Sequence, residues 1–131
     1  MKEKIGEFFK QIPHIVSIDL FGSYAEGTAT EQSDIDLAIL FEGGQAPNPL
    51  TLIEWREDLS TVLGKETDLV CLNDSSPILG MQVYQHRKAL LVNDSSKRDQ
   101  YYMRLLKEYV ELKERRAPME QNLLKRKFYD Q

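Results

Sequence analysis

Cysteine is nearly absent from this 131-residue chain; Cys71 is the only one. One thiol cannot close an internal disulfide, so a disulfide-stapled secreted scaffold is excluded and a reducing cytoplasm is expected. Histidine is almost as scarce. His14 and His86, taken with Cys71, make no metal-ligand spacing, and packing or surface roles are expected for them. Long apolar runs are missing too. The longest, Leu37 to Phe41, is far too short to cross a bilayer, and the start Met1-Lys2-Glu3-Lys4-Ile5-Gly6 lacks the apolar stretch of a signal peptide. No membrane association is therefore expected. Nor is there an excess of positive charge: 17 Lys/Arg stand against 21 Asp/Glu, a net charge of −4. The imbalance is uneven, with 7 basic and 15 acidic residues in 1–96 (−8) and 10 basic and 6 acidic in 97–131 (+4). An acidic body is a poor general surface for RNA, and direct nucleic-acid binding is not expected. The basic last third is a candidate docking element. Internal repeats and low-complexity stretches are also absent.

What is present suits one small domain. The length allows a single core, and a hydrophobic content of 41% is enough to build it. Residues 2–11 have helical spacing through Ile5, Phe8, Phe9 and Ile12. Strands are predicted near 15–21 and 34–41. Asn48-Pro49 supplies an N-cap and first-turn proline for a helix that Gly64 closes, with Leu52, Trp55, Leu59 and Val62 as its core stripe. A strand from Thr67, a helix from Ser76-Pro77 to about Arg87 and a short strand Ala89–Val92 follow. Ser96 with Asp99 reads as a capping box for a long helix with Tyr102, Leu105, Leu106, Tyr109 and Leu112 along its apolar stripe. Pro118 is expected to end that helix or set off a tail, Met119–Gln131, which carries Leu123, Leu124, Phe128 and Tyr129 for packing or partner binding. The alternation of elements gives an α/β (α+β) fold, a small mixed or antiparallel sheet flanked by helices. It is read as a single domain, 1–131, with a catalytic core of about 1–95 and a C-terminal helix and tail of about 96–131.

The chemistry is concentrated between two strands. Val16, Ile18 and Leu20 alternate with Ser17, Asp19 and Phe21 on the way into Gly22-Ser23. Ten residues separate Ser23 from Asp34-Ile35-Asp36. On the second strand Ile35, Leu37, Ile39 and Phe41 take one face, and Asp34, Asp36, Ala38 and Leu40 the other. The period of two puts both carboxylates on the same face at the strand's N-terminal end. Carboxylates so placed share hard cations, and paired cations roughly 3.5–4 Å apart clamp both oxygens of a phosphoryl displacement. Magnesium suits this, because oxygen ligands, waters and substrate phosphates fill its shell. Gly22 lets a phosphate approach the backbone and permits positive φ, while Ser23 adds a hydroxyl donor. Tyr24 to Ala29 is read as a short helix or turn. Ser33 is expected to hold the loop before Asp34. Asp19 is expected to cap a turn or face solvent.

A third carboxylate would serve to deprotonate an acceptor hydroxyl, and Asp68, opening the run Thr67–Leu72, is the candidate. Antiparallel pairing of that run beside Asp34–Phe41 is expected to bring Asp68 to the other two aspartates.

The string GSYAEGTATEQSDIDLAILFE resembles the nucleotidyltransferase superfamily related to DNA polymerase β. It looks most like that superfamily's small stand-alone members, the minimal nucleotidyltransferase (MNT) antitoxins that partner HEPN-domain toxins. The family's Gly-Ser, ten-residue spacer, Asp-x-Asp pattern is matched by Gly22, Ser23, Asp34 and Asp36, and its third aspartate by Asp68. The resemblance covers about residues 1–95. Glu26 departs from it, standing where many relatives carry a basic residue. The resemblance implies Asp34, Asp36 and Asp68 as catalytic residues and metal ligands, with Asp68 also a base. It implies Gly22-Ser23 as the triphosphate cradle, ATP as substrate and a pair of Mg2+ ions as cofactor. Once the core is built, only a helix and a tail remain, so the substrate is expected to bring its own binding surface. The expected function is therefore transfer of AMP from ATP to a hydroxyl, tyrosine foremost, of a cognate HEPN ribonuclease toxin. Two alternatives stay open: a non-catalytic antitoxin that blocks its toxin by stoichiometric binding, and an aminoglycoside-type small-molecule nucleotidyltransferase.

Overall fold

A computed structural model describes the backbone of residues 1–129 and the side chains of residues 1–119 and Gln121. In chain order the elements are α1 (Lys2–Phe9), β1 (Ile15–Phe21), α2 (Ser23–Glu26), β2 (Ile35–Phe41), α3 (Pro49–Leu63) and β3 (Thr67–Cys71). A 3-10 turn (Leu72–Asp74), α4 (Pro77–His86), β4 (Lys88–Val92) and α5 (Ser95–Tyr129) complete them. The four strands form one sheet in the order β3-β2-β1-β4. β1 is antiparallel to both β2 and β4, whereas β2 and β3 are parallel. The sheet is therefore mixed, and the expected antiparallel β2–β3 pairing is corrected. The cause is the connection. Residues 42–66 contain α3, and a helical crossover returns the chain to its starting edge, where the next strand runs parallel.

Both sheet faces are covered. Ile5, Phe9, Ile18, Leu37, Ile39 and Leu59 fill one interface, beneath α1 and α3. Val16, Ala38, Leu40, Met81, Val83, Tyr102 and Leu105 fill the other, beneath α4 and α5. β2 lies at the centre and alternates between the two cores, as its sequence predicts. α3 starts and stops as expected: Asn48 Oδ1 accepts from the Thr51 amide at 2.8 Å, and Gly64 ends the helix at φ 66°. Its stripe is shifted at the C-terminal end, however. Leu59 is buried, Trp55 stacks on Phe41 with ring centroids 6.1 Å apart, and Leu63 packs inward, while Val62 is 48% exposed.

α5 departs from expectation twice. Its cap is Asp94, whose Oδ1 accepts from the Lys97 amide at 3.0 Å, and not the Ser96–Asp99 box. It also runs through Pro118 to Tyr129 as 35 residues, about 52 Å at 1.5 Å per residue. A proline inside a helix forfeits one backbone hydrogen bond and crowds the preceding turn, yet here it does not end the helix. Tyr102 and Leu105 are buried and Leu106 and Tyr109 pack beside them, whereas every residue from Lys113 to Met119 is exposed. Leu123, Leu124, Phe128 and Tyr129, read above as tail contacts, have side chains outside the described residues. Gly80 lets α4 approach α5 closely, since a Cβ there would stand 2.7 Å from Leu105 Cδ1. Among the described residues, no helix is long and apolar enough to cross a membrane.

Candidate active site

Three strand ends build the site. β1 ends at Phe21, and Gly22 turns the chain with φ 72° and ψ −156° into the single turn of α2. The Ala25 and Glu26 amides both donate to the Gly22 carbonyl at 3.1 Å, which closes that turn. A Cβ on Gly22 would collide with the carboxylate of Asp36, so glycine is required both for the backbone angle and for room. Phe21 lies opposite Asp36 in the β1–β2 register, and Asp36 lies opposite Asp68 in the β2–β3 register. Gly22, Asp36 and Asp68 thus form a row across one end of the sheet. Parallel pairing does this. Antiparallel pairing would have carried Asp68 to the other end of β2.

The structure brings together all five residues singled out in the sequence. Asp36 is half-buried at the centre of the row; Asp68 is exposed on the edge strand, and Asp34 is exposed one residue before β2 begins. Burial, then Asp68, then Asp34 push the Asp36 carboxyl above the ordinary carboxylate value. Burial and like charge thus act in the same direction on the central carboxylate. Among the described residues, no three His, Cys, Asp or Glu side chains already form a cation cage. The donor set nevertheless fits a hard divalent ion. It is all carboxylate oxygen at one strand edge, and a cation would relieve the repulsion that raises Asp36. The loop before Asp34 is tied down as expected, with the Thr30 amide donating to Ser33 Oγ at 2.9 Å. Lys65 adds a second tie that the sequence did not reveal, donating from Nζ to the Glu31 carbonyl at 2.9 Å.

Asp19 corrects its expectation. It neither caps a turn nor faces solvent; it is fully buried on the same sheet face as Asp36, one row further in. Tyr102 of α5 donates to its Oδ2 at 2.9 Å, while Oδ1 and the hydroxyl of nearby Ser17 have no partner among the described residues. Burial raises the Asp19 carboxyl, an effect that the Tyr102 hydrogen bond and the charges of Arg87 and Arg98 only partly oppose. The Arg87 guanidinium lies 4.7 Å from the Tyr102 ring centroid and 5.2 Å from that of Tyr84.

Arg56 was also missed. It projects from α3 toward the outer side of β3, where its guanidinium stands 3.8 Å from an Asp68 oxygen. A polar cleft of about 620 Å³ opens there between α3 and β3, with Asp34 and Asp68 in its wall. No sequence spacing links Arg56 to Asp68; only the crossover through α3 brings them together. His14 and His86 are surface residues, each with its Nδ1 beside a glutamate: His14–Glu42 at 3.2 Å and His86–Glu26 at 2.9 Å. Glu26, the departure from the family pattern, is thus engaged at the end of α2.

Comparison with known proteins gives the family. Residues 3–96, well over half of the chain, match the family described as "Polymerase beta, Nucleotidyltransferase". The chain belongs to this nucleotidyltransferase family. Within it, the chain is 37% identical to the protein adenylyltransferase MntA of Shewanella oneidensis over 79 residues, 60% of this chain and 55% of that protein. The chain spans little more than half the length of the curated relatives it matches. Its fold is similar to that of a chain in a crystal structure of a toxin–antitoxin with AMP-PNP. The TM-score is 0.84 at 27% identity, over 94% of this chain and 98% of that one. It is also similar to a chain in the complex of tri-AMPylated Shewanella oneidensis HEPN toxin with MNT antitoxin. There the TM-score is 0.78 at 25% identity, over 94% and 95% of the two chains.

Proposed function

We propose that this chain is an antitoxin of the MNT type that transfers AMP from ATP to a hydroxyl, foremost a tyrosine, of a cognate HEPN ribonuclease toxin. The observation that carries this reading is the row Gly22–Asp36–Asp68, with Asp34 beside it, at one sheet end. The likeness to a protein adenylyltransferase, to a chain of a toxin–antitoxin structure with AMP-PNP and to a chain of the complex of a tri-AMPylated HEPN toxin with MNT antitoxin supports it.

The tasks divide among these residues. The turn at Gly22-Ser23 holds the triphosphate, because its amides and the Ser23 hydroxyl donate to phosphate oxygens and no Cβ intrudes. Asp34, Asp36 and Asp68 would hold two magnesium ions. When bound, magnesium neutralises charge on the triphosphate and on the departing pyrophosphate. Asp68, exposed at the outer end of the row, takes the proton of the acceptor hydroxyl. The freed oxygen attacks the α-phosphorus in line, and the bond to the β-phosphate oxygen breaks. Magnesium dependence and a cytoplasmic setting belong to this reading. So does the division of the chain into a catalytic domain of about 1–95 and a C-terminal helix that docks the partner. The exposed side chains from Lys113 to Met119 support the docking role.

The test is labelling with ATP carrying radioactive α-phosphate, in host lysate with Mg2+. The expected result is one labelled protein that requires intact Asp36, with toxin neutralised at substoichiometric enzyme. Neutralisation that needs equimolar protein and no ATP would overturn transfer in favour of stoichiometric blocking. Label found only in small molecules would overturn the protein acceptor.

A further inference from the structure

The row has a direction, and the direction assigns the cleft. Gly22-Ser23, the triphosphate seat of that reading, follows β1; Asp36 lies on β2 with Asp34 just before it, and Asp68 lies on the edge strand β3. In-line displacement requires the attacking oxygen opposite the leaving pyrophosphate. With pyrophosphate toward β1, the acceptor must arrive from beyond β3, where the cleft between α3 and β3 opens beside Asp68.

We propose that this cleft is the acceptor subsite, and that Arg56 is the residue that receives a tyrosine side chain of the acceptor protein in it. The inference rests on the transferase reading above. The lining decides the class of acceptor. Asp34, Glu57, Glu66 and Asp68 set four carboxylates against Arg56 and Lys65, an acidic wall that repels a phosphodiester chain. The two cations are not equivalent. The Lys65 ammonium is engaged by the carbonyls of Thr30 and Glu31 at 3.3 and 2.9 Å. Arg56 meets Asp68 at 3.8 Å, beyond hydrogen-bond range, with its side chain 44% exposed. A planar guanidinium stacks on an aromatic ring and stabilises negative charge growing on a neighbouring phenolic oxygen. Its position beside Asp68 puts the incoming hydroxyl between the base and the cation. The phenolic O–H gives its proton to Asp68, the new O–P bond forms at the α-phosphorus of ATP, and pyrophosphate leaves with the electron pair of the broken P–O bond.

The acceptor protein is fixed by the lysate labelling described above, and initial rates are then measured against acceptor and against ATP separately. Arg56→Ala is expected to raise the KM for the acceptor at least tenfold and leave the KM for ATP within twofold. Arg56→Lys should recover most of the loss and Arg56→Gln little. In the background with Arg56 intact, p-benzoylphenylalanine at Thr61 in the cleft wall should photo-crosslink the acceptor. The same probe at Leu50, at the other end of α3, should not. A wild-type protein that labels nothing overturns the transferase reading and the subsite with it. A wild type that labels, with Arg56→Ala unchanged in its acceptor KM or with no crosslink from Thr61, overturns the subsite alone. Equal losses for ATP and acceptor would move Arg56 to the nucleotide, and a Thr61 crosslink to RNA would replace the protein acceptor; either overturns the proposal.

Discussion

Two carboxylates on one sheet face, Asp19 and Asp36, sit one row apart and live under opposite rules. Asp19 opposes Ala38, and Asp36 is two residues back along β2. Folding raises both carboxyls, and burial is the first cause for each. The second influence differs. Asp19 is met by a tyrosine hydroxyl and the charges of two arginines, which lower it; Asp36 is met by two more carboxylates, which raise it further. The first arrangement is that of a structural joint between β1 and α5. The second is that of a site left short of positive charge until a ligand supplies it. Burial alone does not mark a functional carboxylate; the sign of its neighbours does.

Breaking the functional side should have the largest effect. Asp36→Asn is expected to lower AMP transfer by about 10³-fold or more, measured with α-labelled ATP, because it removes the central carboxylate of the row. The same substitution removes a repelled charge, so urea unfolding without metal should show stability equal to or above wild type. Gly22→Ala comes next. Its Cβ meets the Asp36 carboxylate and its φ is 72°, so affinity for Mg–AMP-PNP should fall by about 10- to 100-fold by calorimetry, with a loss of about 1–2 kcal/mol in stability.

The structural side should break differently. Tyr102→Phe strips the Asp19 carboxylate of the Tyr102 hydrogen bond, which should cost about 1–3 kcal/mol in urea unfolding and leave transfer at saturating substrates within about threefold. Its pH dependence sharpens the comparison. A carboxylate raised by folding binds its proton more tightly in the folded state. Stability therefore falls as pH rises above the ordinary value of 3.8 and on through the raised one. Asp19→Asn and Asp36→Asn should each flatten part of that fall. Mg-ATP should flatten only the Asp36 part and should raise the melting temperature of the wild type. The smallest expected effect is at the α5 cap, where Asp94→Ala should cost about 1 kcal/mol by the same unfolding measurement.

Much of this was legible in one dimension because it is local. The alternation along β1 and β2, the prolines and caps of α3 and α4, the glycine turn and the Asp-x-Asp pair all depend on residues a few positions apart. Capping, turn chemistry and the strand period act over that range. The errors arose where distant segments meet. Val62 and the cap of α5 were misplaced by one turn or less. The direction of β3 was misread because a strand's own residues do not encode which way its neighbour runs.

The amino-acid order by itself determined the local pattern: the Gly22-Ser23 turn, and the spacing that sets Asp34 and Asp36 one residue apart at the start of β2. Only the tertiary structure decided where Asp68, Asp19 and Arg56 stand. The crossover through α3 runs β3 parallel to β2, which sets Asp68 level with Asp36 and brings Arg56 beside it. The packing of α5 on β1 turns Asp19 from an expected surface residue into a buried joint. Local pattern fixes the side to which a side chain points, but the long-range packing of helices on the sheet chooses its neighbours, and the neighbours set its charge and its use.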